Sequence, residues 1–473
     1  MTAGKTDKSL LSKGISLDSA WLSAACRLGI HYRIPRQKSR RARVSQQPAE
    51  ACLFAFNRSM LWKPAGQTGY DLNHPMRVLS VVQFYFPFQD RGGPVVKVRS
   101  LARGLAKRGH QVTVLTADLG LGRVNGFAAK LQRCASGWRW EDEGVEAIYL
   151  ATRGHYRALT FNPGVVKYCG ASLKNFDVVH FYGLYDFLGP AAGYFCRREG
   201  IPYVIEPMGM YRPIDRSLRL KRLWRDTIGK ALLENASQVV ATSEIERQEL
   251  LDGGIPAGKV VIRYNGVDVS SCKPLPPRGT FRSKWKIPAE QPLVLFLSRL
   301  IPRKGADILI EAFSRVCPES GYLAIAGPEG EPGYRAGLQR RAKELGVASR
   351  VLFTGPLYDD EKKAALADAD VFALPSRYEN FGNAAAEAVA SDVPVIVTSS
   401  CGIHSLVQDR AGLVIAPNNE ELADALRRLI YDSGLRLRLK AGCAGVIQQL
   451  SWDRLTEQME TYYAGVLSSA RKS

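Results

Sequence analysis

The chain has 473 residues, 46% of them hydrophobic, with a formal net charge of +20. That length allows two or three domains with ample core. Nowhere do 18 uncharged apolar residues stand in a row, so no membrane-spanning helix is expected. The positive charge invites a nucleic-acid reading, but no helix-turn-helix, zinc or RNA-binding signature accompanies it, so no nucleic-acid partner is expected. Nine cysteines lie scattered from Cys26 to Cys443 without a Cys-x-x-Cys pair or a histidine partner spacing. They read as buried thiols in a reducing compartment, pointing to a cytoplasmic protein.

Residues 1–75 carry twelve Lys and Arg against four acids, +8 of the total, and lack strand or helix periodicity over most of their length. They read as a flexible basic arm or as an upstream start with Met76 as the true initiator, the second reading being favoured. A short helix-like island spans Asp18 to Leu28. Leu10-Leu11 is soon interrupted by Lys13, so the stretch does not read as a signal peptide.

From 76 to 272 short apolar strands alternate with helices. Arg77–Val82 leads through Tyr85-Phe86-Pro87 to Gly92-Gly93-Pro94 and a helix from Val95 to Arg108. Two adjacent glycines let backbone amides approach a phosphate closely, although a Gly-Gly turn is often only a turn. Further strands are expected near 112–116, 145–149, 178–181, 203–206, 239–241 and 260–263. The segment Asp177–Gly183 closes a strand with His180 and Tyr182 on the same side, two residues apart, and Asp186 follows on its loop. Between Arg212 and Lys230 seven cations interleave with Leu218, Leu220, Leu223, Trp224 and Ile228. Such a run can lie on an anionic membrane surface, or be a solvated helix whose leucines face the core.

Asn265-Gly266-Val267-Asp268 marks a crossover, and a Pro-rich, basic linker from Ser270 to Pro292 leads to a second strand-helix series, 294 to about 448. The strand Val294–Leu297 is followed by Ser298–Gly305 and a helix from Asp307 to Val316, so Arg299 and Lys304 flank a loop at a strand's carboxyl end. Ligands bind at that edge of an open α/β sheet, and cations there can clamp a diphosphate. Asp370–Ser376 reads as a buried strand ending at a proline, followed by a helix to Ala390. Glu379 then sits on the strand-to-helix loop, and Glu387 about two turns into the helix. Phe381, Gly382 and Asn383 between them present free N–H groups that favour an anion. Asp359-Asp360 reads as the start of a helix at Glu361, and no aspartate pair suggests a metal.

These motifs, in this order, resemble the retaining glycosyltransferases of the group that includes many bacterial lipopolysaccharide, exopolysaccharide and phosphatidylinositol mannosyltransferases. The resemblance runs from Met76 to about Leu467. It implies an α/β GT-B fold, two facing Rossmann-like domains (76–272 for the acceptor, 273–451 for the nucleotide sugar) and a terminal helix, 452–473, returning to the first. It further implies an enzyme that moves a sugar from a UDP- or GDP-sugar to a glycan or lipid-linked acceptor. Arg299 and Lys304 would neutralise the leaving diphosphate, and Glu387 would hold the ribose. Glu379, with the Phe381, Gly382 and Asn383 backbone, would grip the transferred sugar, while Gly92 and Gly93 face the phosphates from the opposite domain. No metal or other cofactor enters this scheme. Many relatives carry His-x-His-Gly at the second motif; here the later position is Tyr182, expected to orient the sugar, with His180 as support and Asp186 as a further polar contact. The lipid-linked acceptors of the group favour a peripheral membrane contact through Arg212 to Lys230. A nucleotide-sugar-binding protein without transfer, or a sugar-nucleotide epimerase, is the alternative.

Overall fold

The computed structural model describes residues 74–471 except 89–91, 122–125, 157–158, 216 and 318–319. The basic stretch and the island at Asp18 to Leu28 lie outside the described residues.

Two sheets carry the fold. The first holds β1 (Arg77–Val82), β2 (Gln111–Ala117), β3 (Gln132–Cys134), β4 (Gly137–Asp142), β5 (Val145–Leu150), β8 (Val178–Tyr182), β9 (Tyr203–Glu206), β10 (Gln238–Ala241) and β11 (Val260–Ile262); β6 (Gly154–Tyr156) and β7 (Leu159–Phe161) form a separate hairpin. Its order is β11-β10-β9-β8-β1-β2-β5-β4-β3, parallel except where β4 runs against β5 and β3. The second sheet is wholly parallel, with β12 (Leu293–Leu297), β13 (Tyr322–Ala326), β14 (Val351–Gly355), β15 (Val371–Leu374), β16 (Val395–Thr398) and β17 (Gly412–Ile415) in the order β14-β13-β12-β15-β16-β17. Every residue of β12 and β15 is buried, as a strand covered on both faces requires. The strand order reverses between β12 and β15, so their carboxyl-end loops splay apart and leave a crevice.

The helices used below are α1 (Gly93–Lys107), α2 (Leu218–Trp224), α3 (Glu244–Asp252), α4 (Ala306–Val316), α5 (Asp359–Asp368), α6 (Asn383–Ala390) and α7 (Trp452–Ala470). Helix α7 crosses from the second lobe to the first, where Met459, Tyr463 and Leu467 join the core that includes Val78, Leu101 and Val114. Fully burying side chains of this size contributes about 1.5–3 kcal/mol each. Glu460 of α7 accepts from Arg108 Nε at 2.6 Å and lies 2.7 Å from His110 Nε2. The two domains and the returning helix are those of the GT-B arrangement.

Three segments depart from the sequence reading. The linker contains short helices at Val269–Cys272 and Thr280–Trp285, ordered because Phe281 is buried and Arg282 donates to Asp370 and to main-chain carbonyls. The β3–β4 hairpin was not anticipated, its strands being short and half exposed. The basic run is α-helical over α2, passes through a π-helical turn, Arg225–Gly229, and resumes as a short α-helix, Lys230–Glu234.

Candidate active site

The loop after β12 begins at Ser298 and closes with a single 3-10 turn, Pro302–Lys304, ending at Gly305. Gly305 has φ +76°, and a Cβ there would overlap the Pro375 carbonyl oxygen. The loop after β12 thus rests directly on the loop after β15. Lys304 is buried by this packing and its ammonium pairs with the Glu379 carboxylate. Arg299 stands exposed at the same edge and makes no ion pair among the described residues.

Glu379 is held by its main chain. Its N–H donates to the Ser400 carbonyl, and its own carbonyl accepts from Gly402 N–H, both at 2.9 Å. Phe381 is buried, its carbonyl accepting from Ile403 N–H at 2.7 Å. Gly382 adopts φ +104° with Cys401 Sγ 2.7 Å from where a Cβ would lie, so this turn into α6 needs glycine. The N–H groups of the first turn of α6 have no partner within the helix. Glu387 follows on α6, half-buried, accepting from Lys362 Nζ of α5 at 3.1 Å.

From the first lobe, Gly92 adopts φ +86° with open space around it, and a Cβ on Gly93 would lie 2.5 Å from Asn383 Nδ2. Asn265 Nδ2 donates to Asn383 Oδ1 at 3.0 Å. The Gly-Gly turn therefore faces the N-terminus of α6. Further along, Asn380 Nδ2 donates to Thr242 Oγ1 at 2.5 Å, and Tyr378 donates to Glu249 Oε2 at 3.1 Å. The structure so gathers Gly92, Gly93, Lys304, Glu379, Phe381, Gly382 and Asn383, with Arg299 and Glu387 on the loop and helix that flank them.

Tyr182 is not part of this gathering, which corrects the expectation that it orients the transferred sugar, and His180 lies behind it as buried support. Strand alternation turns both into the core beneath α7, where His180 is fully buried and Tyr182 nearly so. Their rings stack at 4.0 Å, and His180 Nδ1 lies 2.7 Å from the Tyr463 hydroxyl. Asp186 is equally removed: buried, it accepts the Gly189 N–H at 2.6 Å at the start of the helix Leu188–Glu199. Burial pushes its carboxyl up to about 6.

Two features escaped the sequence reading. A buried charge cluster joins Glu206 to Lys97 and to Arg263 Nη2, the latter at 2.6 Å. Burial pushes the Lys97 ammonium down to about 8, while Arg263 and Lys97 hold the Glu206 carboxyl low against its own desolvation. The other is the turn Pro207–Gly209 after β9, where Met208 and Gly209 both have positive φ and a Cβ on Gly209 would lie 2.6 Å from Asn380 Cγ. Glu246 of α3, fully buried, accepts from Gly209 N–H at 2.5 Å and Thr242 N–H at 2.9 Å, bracing the wall that Asn380 meets. None of these residues belongs to a spaced motif. Among the described residues no three His, Cys, Asp or Glu side chains gather where they could hold a metal ion.

Burial also pushes His180 down to about 3, the neighbouring Glu206 opposing. An unfolded histidine titrates near 6.5, so between about pH 6.5 and 3 the unfolded chain binds a proton that the folded chain refuses. Stability from this group is present above pH 6.5 and lost as pH falls through that window, by up to about 1.4 kcal/mol per pH unit. The slope of unfolding free energy against pH, measured by urea denaturation, is expected to be shallower there for His180→Gln than for the unaltered chain.

Two doubly wound sheets with a cation–carboxylate pair and a helix N-terminus at the switch point make up a GT-B fold with a crevice suited to an anionic ligand. Residues 277–442 match the family described as "Glycosyl transferases group 1", and residues 92–266 match "Glycosyl transferase 4-like domain". Thus the chain belongs to the group 1 glycosyl transferases. Its relatives include a D-inositol 3-phosphate glycosyltransferase of Xylanimonas cellulosilytica, 28% identical over 79% of this chain and 92% of the relative. A GDP-mannose-dependent alpha-(1-6)-phosphatidylinositol monomannoside mannosyltransferase of Mycobacterium tuberculosis is 33% identical over 48% of this chain and 61% of that protein. Among solved structures, Anabaena HepE in complex with UDP-glucose superposes with a TM-score of 0.62 at 21% identity, covering 81% of this chain and 98% of that one.

Proposed function

We propose that the protein transfers a sugar, with retention of anomeric configuration, from a nucleoside-diphosphate sugar to a glycan or lipid-linked acceptor of the cell surface. The observation that carries this reading is the Lys304–Glu379 pair at the N-terminus of α6, opposite the Gly92–Gly93 turn. Lys304, Arg299 and the first-turn amides of α6 stabilise the charge that develops on the departing diphosphate. Glu387 accepts the ribose hydroxyls. Glu379, oriented by Lys304, keeps lone pairs for hydroxyls of the transferred sugar, and hydrogen bonds to such a charged acceptor contribute about 1.5–3 kcal/mol each. With His180 and Tyr182 buried, the acceptor's proton passes to the leaving phosphate as the new bond forms on the same face. The relatives' names support this reading: one acts on an inositol phosphate, another uses GDP-mannose on a phosphatidylinositol mannoside. It needs no metal.

The test is product stereochemistry. Proton NMR of the product from a UDP- or GDP-sugar and an acceptor should show the donor's anomeric configuration, with turnover unchanged by EDTA; an inverted product contradicts the reading.

The same reading places the first lobe on an anionic membrane. Leu218, Leu220 and Leu223 of α2 are exposed, at 37%, 53% and 61%, beside the exposed Arg219 and Arg222. This is opposite to a solvated helix with its leucines in the core, and each cation near an anionic surface contributes about 1 kcal/mol. No helix among the described residues is long and apolar enough to cross a membrane. Sedimentation with phosphatidylglycerol vesicles is expected to carry the chain down, and Leu220→Glu with Leu223→Glu to leave it in the supernatant. Equal sedimentation of the two contradicts the surface.

A further inference from the structure

A cavity of about 350 Å³ in the first lobe shares no lining residue with the cleft described above. It opens between the β3–β4 turn and the N-terminal end of the helix Gly164–Ser172, and Arg133, Trp138, Arg153 and Lys167 line it with no Asp or Glu. Its volume falls within the range of small-molecule sites, about 300–1,000 Å³.

The floor is built by the hairpin. Pairing of β4 with β5 sets Gly137 opposite Leu150, with φ +149° and a position where a Cβ would overlap the Tyr149 carbonyl oxygen. Only glycine lets the turn lie this close. Pairing of β3 with β4 then sets Arg133 opposite Trp138, its guanidinium carbon 5.4 Å from the indole centroid. Trp138 is half-buried and lines the cavity.

The charges here differ from those around them. Arg139, also on β4, pairs with Glu146 at 2.8 Å, and Lys174 pairs with Glu199 at 3.0 Å. Arg133, Arg153 and Lys167 form no ion pair among the described residues, although they converge on one concave space. Like charges around a concave wall raise its positive potential and the local concentration of anions. The helix Gly164–Ser172 adds its positive end, with no acid in its first turn and no side-chain cap.

We propose that this cavity binds the anionic group of an acidic sugar, phosphate or carboxylate, carried by the acceptor, with Trp138 against the sugar ring. Ala151 and Arg153 follow the carboxyl end of β5, and Gly92–Gly93 lie on the loop from the carboxyl end of β1. β2 alone separates these strands, so the cavity and the loop that carries the Gly-Gly turn lie at the same carboxyl edge of the sheet, where β1 and β5 are two strand spacings, about 10 Å, apart. The acceptor role rests on the function proposed above; the binding of an anionic sugar does not.

The experiment is isothermal titration of the full chain with glucose 6-phosphate, glucuronate and glucose. Repeating it with Lys304→Ala removes a cation of the donor cleft, and repeating it with Arg153→Glu plus Lys167→Glu reverses two exposed charges of the cavity. The expected result is binding of one or both anionic sugars but not glucose, retained in Lys304→Ala and weakened at least tenfold in the charge-reversed chain. The stronger of the two anionic ligands identifies phosphate or carboxylate as the group. Binding that survives charge reversal, binding lost in Lys304→Ala alone, or no binding of either anionic sugar overturns the site. If the site binds as expected while no sugar is transferred from any nucleotide sugar, the function fails and the cavity stands. Transfer to an acidic acceptor with KM unchanged by charge reversal overturns its acceptor role.

Discussion

Lys304→Ala is expected to lower kcat/KM for sugar transfer about 10²- to 10³-fold, the effect of deleting one preorganised group that stabilises developing charge. The size follows from burial. Lys304 is only 7% exposed, so its charge acts in a medium where water screens weakly. The substitution also strands Glu379, whose carboxylate stays half-buried without its cation, and breaking such a pair costs more than the pair contributes intact. Arg299→Ala removes an exposed cation from the same edge and is expected to cost only about tenfold, because solvent already screens it. Steady-state kinetics with one donor and one acceptor check both. Equal effects of the two substitutions would mean that burial does not set the strength of the phosphate contact.

Gly209→Ala is expected to reduce kcat/KM about 10- to 100-fold while the melting temperature falls by only a few degrees. Two causes combine. An alanine at φ +77° costs about 1–2 kcal/mol in backbone strain, and its Cβ would press on Asn380, whose amide bonds to Thr242 and whose neighbours Phe381 and Gly382 lead into α6. The side chain must swing away and the facing walls of the cleft separate. Gly200→Ala provides the control. It has φ +67° at the end of the helix Leu188–Glu199 with nothing within 4 Å of the new Cβ, so it carries the strain without the collision. Loss of activity in Gly209→Ala alone assigns the effect to the cleft wall; equal loss in both assigns it to general destabilisation.

The parallel strands of the first sheet were legible as short, mostly apolar runs, whereas of the second sheet only β12 and β15 stood out; the site was legible there because Arg299, Lys304 and Glu379 sit on loops at the ends of those two strands and Glu387 on the helix that follows. Tyr182 and His180 show the limit. Alternation puts them on one face of β8, but not whether that face meets a cleft or α7, whose Tyr463 comes from 281 residues downstream of Tyr182. The Lys97–Glu206–Arg263 cluster and the Thr242–Asn380 contact were hidden for the same reason: their members come from separate elements and meet only in three dimensions. In the Leu218 to Leu223 stretch the sequence left open whether the leucines face the core, and all three are exposed.

The central claim is that the donor's nucleoside diphosphate seats on the loops after β12 and β15 and on α6. Thermal melting of the chain with UDP, GDP and a panel of their sugars tests it directly, because a ligand that binds only the folded state raises the melting temperature by mass action. A rise with one nucleotide series, abolished by both Lys304→Ala and Glu387→Ala, is the predicted result. A rise that both variants retain, or none with any nucleotide, would contradict the placement of the donor.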